Sequence, residues 1–129
     1  MREEPKSLTL MRYIMRSEIE KVLEAMREDY KRWNRRGFCE REDIRTEMEE
    51  NYCSGLMVEE NRRYWKITST NGSGSQISVA GFIAKAGDKK FREGDMLKAA
   101  GWAAPARNFA RGNVLSGKGV DSVKWTGIG

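Results

Sequence analysis

The chain has 129 residues, 39% of them hydrophobic and 33% charged, with a formal net charge of +5 and no histidine. That length supports one domain, or one domain with a long appendage, and a core of its own, and no apolar run approaches the roughly 18 residues that a membrane span needs. The missing imidazole removes Ser–His and Cys–His pairs and the commonest zinc ligand. With no Walker loop and no G-x-G-x-x-G either, the expectation moves from enzyme to binder, with no cofactor.

The N-terminus, MREEPKSLTLMRYIM, has neither a long apolar stretch nor a small-residue cleavage site. A cytoplasmic chain with Cys39 and Cys53 as reduced thiols is therefore expected. From 8 to 34 the pattern is helical. Met15, Ile19, Val22, Leu23, Met26, Tyr30 and Trp33 recur at steps of three and four and form one apolar stripe. Ser17 and Glu20 have the spacing of a capping box, so the helix is expected to restart there; Gly37 ends it. A helix of this length either builds a homo-oligomer or lies across the sheet of its own domain. Arg27 and Lys31, one turn apart, are a like-charge pair that an anion would offset, and they form a candidate second anion site. A shorter acidic helix is expected over 41–52, closed by Gly55.

At Asn61 the period changes to two, and a strand is expected over 63–68. A flexible turn over 69–75 leads to a second strand over 76–84. A polar loop over 85–90 and a turn at Glu93-Gly94-Asp95 feed a third strand. Short strands are expected over 113–115 and 122–126, joined by a hairpin turn at Gly117-Lys118-Gly119. The fold class is thus α+β: a long and a shorter helix, then a small antiparallel sheet or partial barrel. Two segments follow, a helical anchor over 1–56 and a β-core over 57–129.

Charge divides close to the same boundary. Residues 1–60 hold 12 Lys and Arg against 15 Asp and Glu, whereas residues 61–129 hold 12 against 4. The basic half favours a polyanionic partner, either nucleic acid or a phosphorylated small molecule. The interval 96–120 has no acid and four cations, Lys98, Arg107, Arg111 and Lys118. Arg107 and Arg111 lie on one side if 106–110 makes a helical turn after Pro105, and two guanidinium forks would then grip one phosphate-bearing ligand. Asn108 and Asn113 add amides, and Lys98 and Trp102 complete the candidate set. Phe82 is a large ring on a strand face whose other residues are Ser78, Ala80 and Ala84. It is either a stacking platform for a flat group or ordinary core. Trp102 and Trp125 line a pocket or seal the core. A solvated basic loop is the plain alternative for the whole interval.

The runs GFI at 81–83, KFREGDMLKAAGW at 90–102, APARNFARGNV at 104–114 and VKWTG at 123–127 resemble a family of small phage proteins. These are the Thoeris anti-defence proteins, the first-described cyclic ADP-ribose sponges. The resemblance covers about 57–127 and is strongest over 90–114. It implies an N-terminal helix joined to a β-core and subunits that assemble. It also implies that a cyclic ADP-ribose signal made by TIR enzymes is captured without cleavage in an infected bacterial cell. Some members bind cyclic oligonucleotides at a separate site. The family's paired arginines would fall on Arg107 and Arg111, and its stacking aromatic on Phe82. Near Lys90 this chain reads DKKFR where the family has a polar pocket residue, which leaves one contact and the preferred isomer open. Two rival readings stand beside it: a small basic nucleic-acid-binding module and an inhibitor of a host protein.

Overall fold

The computed structural model describes residues 6–37, 41–70 and 75–129; Cys39 and most of the 69–75 turn lie outside them. Two helices, α1 (Lys6–Arg36) and α2 (Glu42–Gly55), precede five strands: β1 (Met57–Glu60), β2 (Tyr64–Thr70), β3 (Ile77–Ala84), β4 (Asp95–Leu97) and β5 (Gly112–Asn113). The strands form an open antiparallel meander in the order β1-β2-β3-β4-β5. A 3-10 turn, Val120–Ser122, follows. The α+β expectation is met, as a sheet rather than a closed barrel.

The helix α1 runs unbroken through Ser17, so no restart forms there. Its stripe is buried from Met15 to Tyr30 against Trp65, Ile67, Ile83 and Met96 of the sheet. The helix thus lies across its own sheet, and only Trp33 at the end of the stripe stays half exposed. Arg35 and Arg36 close the last turn and complement the helix dipole, and Glu42 and Asp43 do the same at the start of α2. Tyr52 and Leu56 carry α2 into the same core, so the segments 1–56 and 57–129 share one apolar cluster. At Gly55 an added Cβ would meet the Thr70 hydroxyl at 1.9 Å, which is how closely α2 approaches the end of β2.

Alternation sorts the sheet residues to two faces. Trp65, Ile67, Ile83 and Met96 face the helices, while Tyr64, Phe82, Ala84 and Leu97 form a second cluster on the far face with Phe91. Between β2 and β3 the register shifts after Ile67 pairs with Gly81 and before Thr68 pairs with Val79, which leaves Ala80 as the extra residue of a bulge. The carbonyl freed there accepts the Ile128 N–H at 2.9 Å.

That bond explains the one strand that does not form. The residues 122–126 alternate like a strand, but no edge takes them up. Instead Lys124 and Gly127 make a bridge, Trp125 N–H donates to Asp29 Oδ2 at 2.8 Å, and the Tyr52 hydroxyl donates to Trp125 C=O at 2.7 Å. Trp125 joins Tyr30, Trp33 and Tyr52 in an aromatic cluster in which Tyr30 and Tyr52 stack at 4.2 Å. It seals the core rather than lining a pocket.

Candidate functional site

In a meander, alternate connections gather at one end of the sheet. The β1–β2 turn (61–63) and the β3–β4 loop (85–94) share such an end, and each is cationic: Arg62 and Arg63 on the first, Lys85 and Lys89 on the second. The β4–β5 connection starts from the opposite end but folds back as a hairpin over the far face. Ala106 N–H donates to Lys98 C=O and Arg111 N–H to Met96 C=O, both at 2.7 Å. Ala99 and Ala110 rest on the Phe82 cluster. The fold-back brings Arg107 to the loop carrying Asp88.

Asp88 is the residue that sequence reasoning missed. Its Oδ1 accepts the N–H groups of Lys90 and Phe91 at 2.8 and 3.0 Å, an Asx turn that shapes the loop. The same carboxylate takes both arms of Arg107, Nη2 on Oδ1 at 2.9 Å and Nη1 on Oδ2 at 3.1 Å. Arg107 Nη1 also donates to the Tyr64 hydroxyl, and the guanidinium lies 5.0 Å from the Phe91 ring centre. The Asp88 side chain is only 4% exposed. The Arg107 hydrogen bonds, with those from the two backbone N–H groups, hold its carboxyl far below the usual carboxylate range. Arg107 is raised in turn, chiefly by Asp88. The acid-free interval is therefore not unquenched: its acid comes from a loop nineteen residues earlier.

Around this pair lies a cleft of about 470 Å³ lined by Arg62, Arg63, Lys85, Lys89 and Arg107, with Asp88 as its one carboxylate. Arg63 reaches Asp88 at 3.9 Å, and Lys85 pairs with Glu60 at 3.5 Å. Arg62 and Lys89 make no ion pair among the described residues. The signal for these residues was a basic turn between strands, but it needed β1 to be recognised first.

The other expected site residues are placed differently. No helical turn forms over 106–110. Arg111 does not share the Arg107 cleft; it lines a separate groove of about 720 Å³ with Lys90, Arg92 and Lys118. Its guanidinium packs 3.8 Å from the Phe109 ring centre and donates to Asn108 Oδ1 at 3.0 Å. Phe82 is 1% exposed, with Tyr64 edge-on at 5.7 Å. The small neighbours that read as room for a ligand are covered by the folded-back hairpin, so Phe82 is core. Asn113 spends its amide inside the fold: Nδ2 donates to Glu93 C=O and Asp95 Oδ1, and Oδ1 accepts the N–H groups of Leu115 and Ser116. Lys98 is exposed, and Trp102 is exposed with Lys66 Nζ at 3.8 Å from its ring centre. On α1, Arg27 is held by Glu20 at 2.7 Å and Glu24 at 3.1 Å, and Lys31 reaches Glu28 at 3.9 Å. The repulsion expected between these two cations is offset by their own helix, so no anion is needed there.

Among the described residues no group of three or more Cys, Asp or Glu is placed to hold a metal ion, and no helix is long and apolar enough to cross a membrane. No match is found among curated proteins or among solved structures. One family model does match, over residues 5–128, and with nearly the whole length covered, this chain belongs to the family of unknown function DUF7717.

Proposed function

We propose that this protein is a sponge: a binding module that captures a cyclic ADP-ribose-type nucleotide signal and withholds it without cleaving it. The observation that carries the reading is the cationic cleft at the turn end of the sheet. Five Lys and Arg side chains line it, and its one carboxylate is already committed to Arg107. Its volume lies within the range typical of small-molecule sites. A pyrophosphate fits the adjacent forks of Arg62 and Arg63, because guanidinium groups bind phosphate oxygens in pairs. Arg107, fastened by Asp88 and Tyr64, is a preorganised wall whose ordering costs nothing on binding. The nature of the ligand, a homo-oligomeric state and a place in the cytoplasm of an infected cell are what the sequence resemblance over 57–127 implies; of the contacts it placed on Arg107, Arg111 and Phe82, the cleft keeps only Arg107. The apolar Leu10, Met11 and Tyr13, exposed near the N-terminal end of α1, offer a surface for such assembly.

The test is to incubate the purified protein with each cyclic ADP-ribose isomer, remove free ligand, denature by heat and identify what is released. One isomer is expected back intact and in roughly stoichiometric amount. An Arg62→Ala, Arg63→Ala double variant should weaken capture, by about 10- to 150-fold for each guanidinium–phosphate hydrogen bond removed. Linear ADP-ribose in the eluate would make the protein an enzyme; no isomer retained would refute the sponge.

A further inference from the structure

A second surface carries the features of a different ligand. Trp102 is 59% exposed and Phe109 is 58% exposed, both on the 98–111 hairpin. Trp102 is at the tip of a tight turn closed by the N–H groups of Ala100 and Gly101 on Ala104 C=O. Each ring is set in place by a cation against it: Lys66 Nζ at 3.8 Å from Trp102, and the Arg111 guanidinium at 3.8 Å from Phe109. Lys66 is itself buried in the sheet, so its ammonium is a fixed support rather than a roaming surface charge. Arg111 is tied to Asn108 Oδ1 and Phe109 C=O. Both rings are thus preorganised while remaining open to solvent.

Arg111 also connects the Phe109 ring to the groove it shares with Lys90, Arg92 and Lys118. Two acids, Glu93 and Asp95, line that groove as well, and Asp95 is engaged by Asn113 Nδ2 and the Arg92 N–H, each at 2.9 Å. Four cations against two acids leave the groove positive. We infer that this hairpin and the groove at its Arg111 end bind single-stranded nucleic acid, with bases stacked on Phe109 and on Trp102 at the hairpin tip and phosphates running along Lys90, Arg92, Arg111 and Lys118. Aromatic platforms beside a cationic track are the general means of holding a strand without reading its sequence. A duplex keeps its base faces stacked inside and cannot use the rings. The residues involved are distinct from Arg62 and Arg63 of the cleft, so strand binding stands independently of the cyclic nucleotide reading.

The experiment is fluorescence anisotropy with a labelled single-stranded pyrimidine oligonucleotide of about 12 nucleotides, at about 50 mM salt and then at rising salt. Binding that weakens with salt is expected. Trp102→Ala and Phe109→Ala should each lower affinity by roughly 5- to 150-fold. Both rings are exposed, so far-UV circular dichroism should be unchanged. The Arg62→Ala, Arg63→Ala variant should bind the oligonucleotide as the parent does. The inference is overturned if the parent fails to bind at low salt. It is equally overturned if the ring variants bind undiminished, or if a duplex of the same length binds as tightly as the single strand.

Discussion

Asp88 carries more of the candidate site than any cation in it. One carboxylate shapes the β3–β4 loop through two backbone N–H groups and ties that loop to the hairpin through Arg107. Its folded pKa lies below the ordinary carboxylate value of about 3.9. The stability it contributes is therefore complete above about pH 4 and is lost as pH falls through the lower folded value. Asp88→Asn should be less stable than the parent at pH 7, and the difference should shrink as pH drops below about 4. Urea unfolding of both proteins from about pH 2 to 7 measures this, and a difference that ignores pH would remove the carboxylate's charge from the explanation. Arg107 and Phe82 were legible as residues of interest, but their surroundings were not. Ser78, Ala80 and Ala84 read as space beside Phe82 because nothing in local sequence says that a hairpin will fold back onto that face. Arg107 read as unquenched because its acid is distant in the chain.

Among the elements, the helices declared themselves through spacing, and β2 and β3 through alternation. β1 did not, because four residues, MVEE, are too few to establish a period. The stretch 122–126 had the period of a strand but found its partners in the α1–α2 aromatic cluster and the Ala80 bulge. β5 is also minimal, and its position rests on close backbone approach. A Cβ at Gly112 would come within 2.2 Å of the Lys118 carbonyl oxygen. Gly112→Ala should force the 113–118 turn outward and destabilise the fold by about 1–3 kcal/mol, the usual cost of overpacking. The midpoint in guanidinium chloride reads this directly. An unchanged midpoint would mean that the turn yields freely and that β5 does not hold the hairpin.

At the scale of the molecule, the change of period and the division of charge suggested two segments, whereas the apolar cluster runs through both. Helix content by far-UV circular dichroism and tryptophan fluorescence should therefore report one coincident unfolding transition. In the proposed homo-oligomer its midpoint should also rise with protein concentration. Two separated transitions would restore the helical segment as an independent unit, and a concentration-independent midpoint would argue for a monomer. Charge asymmetry is a property of surfaces, and it maps poorly onto a core that both halves build.

The bond from Trp125 to Asp29 spans 96 positions of the chain, and this separation bears on synthesis as well as stability. α1 leaves the ribosome well before the loop whose Trp125 packs on its C-terminal half at Asp29, Tyr30 and Trp33. At the usual rate of about 5–20 residues per second, that half of the helix waits roughly 5–20 s for its cover. During that time the aromatic end of the helix, Tyr30 and Trp33, lacks the Trp125 ring that packs on it. A nascent chain stalled before Trp125 would carry a finished helix whose aromatic end is still open, a better substrate for quality control than the chain once Trp125 has packed.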